Sequence, residues 1–450
     1  MRINISRCRI ISIGLFQIAS PSLPVTRETF NSLIDRLEST WHSRPTELWD
    51  HTAHWVALGY VSLLLSLLSG LLMMVIGTLL FVQLDGFAPA TLAFAILFAG
   101  LGLAGFVLKC LWVRFEAPAG LALEERDHPE LHRLIRELCG RAGTVHFDQV
   151  ILDPEMNASS VQNPRLGIFG WHRTYLVIGL PLMESLSMDE LKAVIAHEVA
   201  HLSRSDGKLG TWLHRTRTSW ERIADHAGSR ALRPLLGGFF NWFWPHLNSR
   251  AYVLLRSNEL EADRASAAWA PPEFLASGLK RLAIQSQRAD DRFWDPLEQQ
   301  FGRQGDLPDD VMWRFSEFLR TPTDPRAAEE WLAKAIARPS DTIDSHPGLA
   351  TRLSNLASML AVGNDPPPPL PAGTTAAERL LPPATVESAL RKFSAEWRSD
   401  VRATSQPAGT DLDAPRRLGR WRVAVAEFCR IDTARPEAVP LIGRRRPDSR

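Results

Sequence analysis

The chain has 450 residues, enough for a membrane segment together with one or two soluble regions. Its 51 basic and 50 acidic side chains leave a formal net charge of +1, which gives no electrostatic footprint for nucleic acid and argues against a polyanionic partner. The 4 cysteines are scattered and form no Cys-x-x-Cys pair, so neither a disulfide framework nor a cysteine zinc site is indicated. A reducing compartment is therefore expected.

Residues 1–50 are predicted to form an amino-terminal segment that contains an amphipathic helix. Apolar side chains recur at helical spacing within residues 26–49. Such a helix either lies on the membrane surface or packs against the rest of the protein, and the sequence leaves both alternatives open. The apolar side would carry Phe30, Leu33, Ile34, Leu37 and Trp41.

Two long apolar runs follow, and a single formal charge, Asp85, separates them. The runs cover residues 55–84 and 86–108, and each exceeds the roughly 20 residues that cross the hydrocarbon core of a bilayer. Buried helices of soluble proteins that are this long normally carry a polar face. Residues 51–114 therefore predict a transmembrane hairpin, with helices at about 55–83 and 88–110.

Basic residues flank both ends of the hairpin, and its turn contains none. They are Arg27, Arg36, Arg44, Lys109 and Arg114. Because positive residues stay preferentially on the cytoplasmic side, both termini and the domain after the hairpin are expected in the cytoplasm. The sequence thus predicts a multi-pass protein of the cell inner (cytoplasmic) membrane, with the lipid bilayer as one partner.

The sequence His-Glu-Val-Ala-His places two imidazoles four residues apart with a carboxylate beside the first. A capping-box pattern at Ser187 and Glu190, followed by apolar residues at helical spacing, predicts that this segment is a helix. On a helix, His197 and His201 share one face and can bind one Zn²⁺, while Glu198 reaches a water activated by the metal. The alternative is an amphipathic helix with two incidental histidines.

A catalytic zinc keeps an open position beside three protein ligands, so a third ligand is expected downstream. On a helix, Glu259 and Asp263 lie four residues apart on one face. One carboxylate could bind the metal while the other accepts the free ring N–H of a ligand histidine, with His197 as the expected partner. Glu261 lies about 160° away around the helix and should face elsewhere. The alternative is a solvated, charged helix face.

HEVAH followed by ELEAD resembles the gluzincin membrane peptidases of the HtpX heat-shock protease and CAAX prenyl endopeptidase family. The resemblance covers roughly residues 115–360. In one departure, Ser159 stands where the family commonly has a bulky aromatic residue. Four further pieces match: Asn157-Ala158 ahead of an edge strand, the strand of Tyr175, the aromatic stretch 239–245, and Ser345-His346-Pro347 with Arg352.

The resemblance implies an α+β, mainly helical fold, with a zincin-type metallopeptidase domain behind an amino-terminal two-helix transmembrane hairpin. It implies one zinc ion per chain, held by His197, His201 and Glu259. Glu198 would be the general base, and Asp263 would orient a ligand ring.

Further roles are implied for residues outside the two metal motifs. His346 would donate to the oxyanion of the transition state or occupy the open metal position in a latent state, and Arg352 would anchor the surrounding carboxylates. Asn157, Ala158 and Tyr175 would contact the substrate.

The regions after the zinc motifs are less distinctive. Residues 231–255 are apolar and aromatic, but prolines and arginines interrupt them, so a groove wall or an interfacial helix near the active site is predicted rather than a third span. Residues 361–375 predict an extended proline-rich linker, and residues 376–450 a helical region with a basic tail.

These features predict a membrane-bound zinc metalloendopeptidase that acts on polypeptides, membrane proteins among them, in membrane-protein quality control. The alternative is a membrane-anchored, chaperone-like adaptor that retains a zinc-binding fold. Retention of Glu198 disfavours the adaptor, because a scaffold gains nothing from a general base. A transporter would need charged residues inside the spans, and the one formal charge, Asp85, lies at the turn. Two spans also argue against the many-helix chamber of a prenyl endopeptidase.

Overall fold

The structure of the chain is a computed structural model. It describes residues 27–41, 44–83, 86–111, 117–143, 146–164, 172–203, 213, 216–217, 220, 233–297, 300, 308–338, 347–359, 363 and 365–405. Asp85, Arg114 and the basic tail after residue 405 lie outside these ranges.

Three helices open the described part of the chain: α1 (Arg27–Trp41), α2 (Pro45–Gln83) and α3 (Phe87–Leu111). The predicted amphipathic helix is thus divided, and a new helix begins at Pro45, a residue suited to the first helical position. Phe30 and Ile34 of α1 are buried in a cluster with Tyr252 of a later helix. Of the two roles that the sequence leaves open, the structure shows packing against the protein.

Helices α2 and α3 form the predicted hairpin. They approach closely at small residues, because a Cβ atom on Gly100 would lie 2.5 Å from the carbonyl oxygen of Gly70. Both helices are long and apolar enough to cross a membrane. Large apolar side chains are exposed on their outer faces, as a surface in contact with lipid requires, among them Leu64, Leu68, Leu72, Val75 and Leu79.

A small mixed sheet follows the hairpin. Its strands are β1 (Leu121–Ala122), β2 (Gln149–Asp153), β3 (Ala158–Pro164) and β4 (His172–Gly179), in the order β1-β2-β4-β3. Strands β2 and β4 are parallel, whereas β3 runs antiparallel to β4 and forms one edge. Helix α4 (Pro129–Ala142) lies between β1 and β2 in the chain.

The strand β4 leads into the helix that carries the histidines. A short helix, α5 (Leu180–Ser185), joins β4 to α6 (Met188–Ser203). The predicted capping box is present: the Ser187 amide donates to the Glu190 carboxylate over 2.9 Å, and the Glu190 amide donates to Ser187 Oγ over 3.2 Å. Leu176 of β4 and Val194 of α6 belong to one buried cluster, so one face of the sheet supports α6.

Residues 233–266 form one continuous helix, α7 (Arg233–Ser266), although Pro245 lies inside it. Its first half packs along α2, where Phe243 shares a buried cluster with Val56 and Leu63. Its second half carries Glu259 and Asp263. The described part of the segment predicted as a groove wall or interfacial helix, residues 233–255, is therefore the first two-thirds of α7, the helix that also carries Glu259 and Asp263.

Further helices of the described residues contribute to the same core, together with a π-helical turn at Asp290–Trp294. They are α8 (Pro272–Ala289), α9 (Val311–Arg320), α10 (Pro325–Ala337), α11 (Leu349–Ala357), α12 (Ala376–Leu380) and α13 (Pro383–Ser405). Phe393 and Trp397 of α13 are buried in the cluster that also contains Val194 of α6. The described chain is mainly helical with one small sheet, and the predicted fold class is confirmed.

The described residues of the proline-rich stretch before Thr375 form neither helix nor strand, and they are attached to α8. Lys280 Nζ donates to the carbonyl oxygens of Gly363 and Asp365, over 3.1 and 2.9 Å. Arg281 Nη1 donates to the carbonyl oxygen of Pro368 over 2.9 Å. Proline lacks a backbone donor but keeps its acceptor, so cationic side chains can hold such a segment through its carbonyl groups.

Candidate metal centre

The two histidines of α6 form the first side of the site. His197 and His201 are one helical turn apart, and their Nε2 atoms approach to 3.1 Å. His197 is buried, whereas His201 keeps part of its ring exposed. The Nε2 atoms of both rings therefore lie close enough together to bind one metal ion at the edge of the buried core.

Glu259 of α7 supplies the third group. Its Oε1 lies 3.2 Å from His201 Nε2, and its Oε2 lies 3.4 Å from His197 Nε2. One candidate ligand atom from each of the three residues lies within 4.8 Å of the other two. Two imidazole nitrogens and one carboxylate oxygen are a ligand set that suits a catalytic zinc ion.

Asp263 and His197 show that this set fits a metal ion. Asp263 is fully buried, and its Oδ1 lies 3.0 Å from His197 Nδ1. When Nδ1 donates its hydrogen to this carboxylate, the lone pair of Nε2 points toward Glu259 and His201. A ligand histidine oriented by a second carboxylate is the usual arrangement around bound metal ions.

Arg352 of α11 completes the charges around the centre. Its Nη2 donates to Asp263 Oδ1 over 2.5 Å and its Nε to Asp263 Oδ2 over 3.1 Å. Its Nη1 lies 3.9 Å from Glu259 Oε2. When His197 is neutral, the two buried carboxylates and the one guanidinium leave a net negative charge, which favours the binding of a cation.

The same contacts shift two pKa values in opposite directions. Burial and the Arg352 charge lower the pKa of His197, but hydrogen bonds to Asp263 and Glu259 outweigh them and raise that pKa to about 9. Burial raises the pKa of Asp263, but the Arg352 charge and the His197 hydrogen bond lower it below its ordinary value. Metal binding at neutral pH must therefore displace a proton from His197.

The other two carboxylates of the motifs are placed differently. Glu198, next to His197, is only 5% exposed and lies outside the group of three candidate ligands. Glu261 is partly exposed and also lies outside that group. The helical periodicity that places Glu259 and Asp263 together therefore turns Glu261 away from them.

The predicted substrate edge is built around Asn157 and Ala158. Asn157 Oδ1 accepts a hydrogen bond from the Ala158 amide over 2.8 Å, and the Asn157 carbonyl accepts one from Gly179 over 2.8 Å. In an antiparallel pair of this register, the backbone groups of Ser160 and Gln162 point away from β4, toward the edge of the sheet.

Tyr175, the third residue predicted to contact substrate, is not at this edge. Tyr175 lies on β4, which is an interior strand, and its ring is buried beside Ile151 and Val177. This position gives no support to the predicted contact with substrate. His346 lies outside the described residues.

Sequence reasoning missed one contact that fixes the start of α6. Arg281 of α8 donates to both oxygens of the Glu190 carboxylate, with Nε–Oε2 and Nη2–Oε1 distances of 3.0 Å, and Ser277 Oγ donates to the same carboxylate over 2.5 Å. The one available signal was a pair of adjacent cations, Lys280 and Arg281, flanked on both sides by apolar residues. Buried cations need partners, but the sequence does not show which.

Comparison with known proteins identifies the family. Residues 125–360 match peptidase family M48, and the match covers more than half of the chain. The chain belongs to peptidase family M48. The matched region begins before α4 and ends after α11, so it contains every residue of the metal centre described above.

Individual relatives of the M48 region carry HtpX names. A protease HtpX homolog of Helicobacter pylori (strain Shi470) is 39% identical over 85 residues, which are 18% of this chain and 24% of the relative. The homolog of strain J99 has the same identity and coverage. Protease HtpX of Pseudoalteromonas atlantica is 22% identical over 205 residues, which are 41% of this chain and 69% of the relative.

The M48 chain thus matches about a quarter of the length of the Helicobacter relatives. No solved structure matches it at a significant level.

Proposed function

We propose that this M48 protein is a membrane-bound, zinc-dependent endopeptidase. The observation that carries the proposal is the convergence of His197, His201 and Glu259 on one point, with Asp263 bound to the far side of the His197 ring. Family membership and the two apolar helices support it. Zinc is proposed because two imidazoles and one carboxylate are a common ligand set for catalytic zinc.

In the proposed mechanism, His197, His201 and Glu259 hold the metal, which when bound polarises the scissile carbonyl and lowers the pKa of the attacking water. Glu198 removes a proton from that water as it attacks the peptide carbonyl, and then returns the proton to the leaving amine. Asp263 keeps the His197 ring in the correct tautomer, and Arg352 holds Asp263 in place. His346 is proposed to donate to the oxyanion of the transition state or to fill the open metal position in a latent state.

The substrate is proposed to bind as an extended segment beside β3. The backbone groups of Ser160 and Gln162 would pair with it in the manner of an added strand, and Asn157 and Ala158 would fix one end of the segment. Polypeptides are the expected substrates, membrane proteins among them, which would give the enzyme a role in membrane-protein quality control.

We also propose the domain division that the sequence predicts. It consists of an amino-terminal segment (1–50), the hairpin (51–114), the peptidase domain (115–360), the proline-rich segment (361–375) and a carboxy-terminal region (376–450). The burial of α13 in the main core supports a close association of the last two parts with the peptidase domain.

Proteolysis by the purified protein tests the proposed function. We expect the full chain in detergent to cleave casein or itself, and 1,10-phenanthroline to stop the reaction because it removes the metal. The isomer 1,7-phenanthroline cannot chelate and should leave the rate unchanged. Cleavage that both isomers leave intact would refute a metal-dependent mechanism, and a metal-loaded protein without cleavage would favour the adaptor alternative.

The proposed topology places the turn of the hairpin outside the cytoplasm and the peptidase domain inside it. Phe87, the first residue of α3, is 87% exposed, so a cysteine there should react in intact cells with a thiol reagent that cannot cross the membrane. A cysteine at the exposed position Arg126 should react only after the membrane is opened. The reverse pattern would show that the orientation is wrong.

A further inference from the structure

Four side chains form a cluster where α7 passes the beginning of the apolar run of α2. Trp242, His246 and Arg250 follow each other at intervals of four residues along α7, and all three contact Trp55 of α2. The ring centroids of Trp55 and Trp242 are 5.1 Å apart, and the His246 ring stacks on Trp55 at 5.2 Å with an angle of 2°. The Arg250 guanidinium carbon lies 4.6 Å from the centroid of Trp55. We call these four residues the interfacial cluster.

The arginine of the interfacial cluster has no carboxylate partner among the residues that the structure describes. Arg250 Nη1 donates to the His246 carbonyl over 2.7 Å, and the guanidinium lies over Trp55, but no ion pair is formed there. The next arginine along α7 behaves differently, since Arg256 pairs with Glu38 over 2.6 Å. Arg250 is half-buried, and a half-buried cation is stabilised when an anion approaches it.

In the proposed topology, the interfacial cluster lies at the level where the apolar run of α2 enters the membrane. Asp50 and His54 are exposed on the turn before Trp55, and Leu58 is exposed on the turn after it. The apolar run that begins at Trp55 is longer than the roughly 20 residues of the hydrocarbon core, so its ends reach into the headgroup layers. Tryptophan is enriched at this level. Trp242 is 50% exposed and extends the surface that α2 presents to lipid.

We propose that the interfacial cluster binds the phosphate group of an anionic membrane phospholipid, with Arg250 as the charged partner. A guanidinium can donate two parallel hydrogen bonds to a phosphate. Trp55 and Trp242 would contact the glycerol and the upper acyl chain. Anionic lipids supply this group in the cytoplasmic leaflet, which is the side that the basic flanks of the hairpin indicate.

The lipid would contact the middle of α7, the helix that carries the proposed ligand Glu259 nearer to its carboxy-terminal end. Arg250 and Glu259 are nine residues apart on α7, about 14 Å along the helix axis. A bound headgroup would therefore fix the height of the metal centre above the bilayer. The inference does not depend on catalysis, since it concerns residues that take no part in the metal centre.

Lipid binding by the full-length protein tests the proposal directly. The probe is radiolabelled phosphatidylglycerol, titrated into protein in a zwitterionic detergent, with phosphatidylcholine as the neutral competitor. We expect saturable binding of phosphatidylglycerol that phosphatidylcholine does not displace. Arg250→Gln should weaken it about tenfold or more, because a charged hydrogen-bond donor is lost. Arg44→Gln is the control, since Arg44 lies near the same membrane face but pairs with Glu47.

Three results would overturn the proposal. One is equal affinity of Arg250→Gln and the unaltered protein for phosphatidylglycerol. Another is displacement of the lipid by inorganic phosphate at an equal concentration, which would indicate a site for free phosphate. The third is unchanged affinity of Arg250→Lys for phosphatidylglycerol, which would exclude the guanidinium contact. This variant keeps the positive charge but loses the two parallel donors. It is the variant to use if Arg250→Gln does not fold.

Discussion

Glu259→Ala is expected to yield protein with almost no bound zinc, whereas Glu261→Ala should bind one zinc ion per chain. Glu259 lies 3.2 Å from His201 Nε2 and 3.4 Å from His197 Nε2, so its removal takes away one of three proposed ligands. Changes to groups that only orient ligands already cost about tenfold to a hundredfold in metal affinity, and loss of a ligand should cost at least as much.

Glu261 is a matched control because it is the same residue type, two positions further along the same helix. Metal analysis of the two purified variants after equal dialysis compares them directly. Equal zinc content in both would mean that Glu259 is not a ligand. Normal zinc in Glu259→Ala with loss in Glu261→Ala would exclude the proposed geometry altogether.

Glu198→Gln is expected to retain the metal and lose proteolysis. The amide has nearly the shape of the carboxylate but cannot accept the proton of the attacking water, while the three proposed ligands remain. General base catalysis contributes about a hundredfold to ten-thousandfold, so kcat should fall by that factor with little change in KM.

The measurement is cleavage of a fluorogenic peptide by metal-loaded protein, with the metal content determined on the same preparation. Glu190→Gln serves as a second variant on the same helix. The Glu190 carboxylate accepts hydrogen bonds from Arg281 at the start of α6. Glu190→Gln should therefore lower the free energy of unfolding, while the kcat of the molecules that fold should stay close to that of the unaltered protein. Full activity in Glu198→Gln with one zinc per chain would refute its role as the base.

The convergence of the candidate ligands could be predicted in part because helical periodicity is local. The spacing of His197 and His201, and of Glu259 and Asp263, places each pair on one face wherever the two helices lie. The three candidate ligands then come together wherever α6 and α7 pack against each other on these faces. The hairpin could be predicted for a similar reason, since the length and composition of a run determine whether it can cross a bilayer.

Contacts between distant segments were not predictable in the same way. Glu190 and Arg281 are 91 residues apart, and a buried charge looks in sequence like an exposed one. Composition predicts that the proline-rich stretch is extended but not that Lys280 and Arg281 bind its carbonyl groups. Helix α1 packs against Tyr252, and Phe393 of α13 is buried in the main core. Both contacts depend on tertiary packing, which the periodic pattern of one helix does not specify.

Reconstitution with zinc tests the central claim most directly. Protein that has been stripped of metal and kept in detergent should be inactive toward casein. Activity should then rise in proportion to added zinc and reach its maximum at one bound ion per chain, because His197, His201 and Glu259 form one site. Undiminished cleavage by the metal-free protein, or one bound zinc ion that restores no cleavage, would contradict the account.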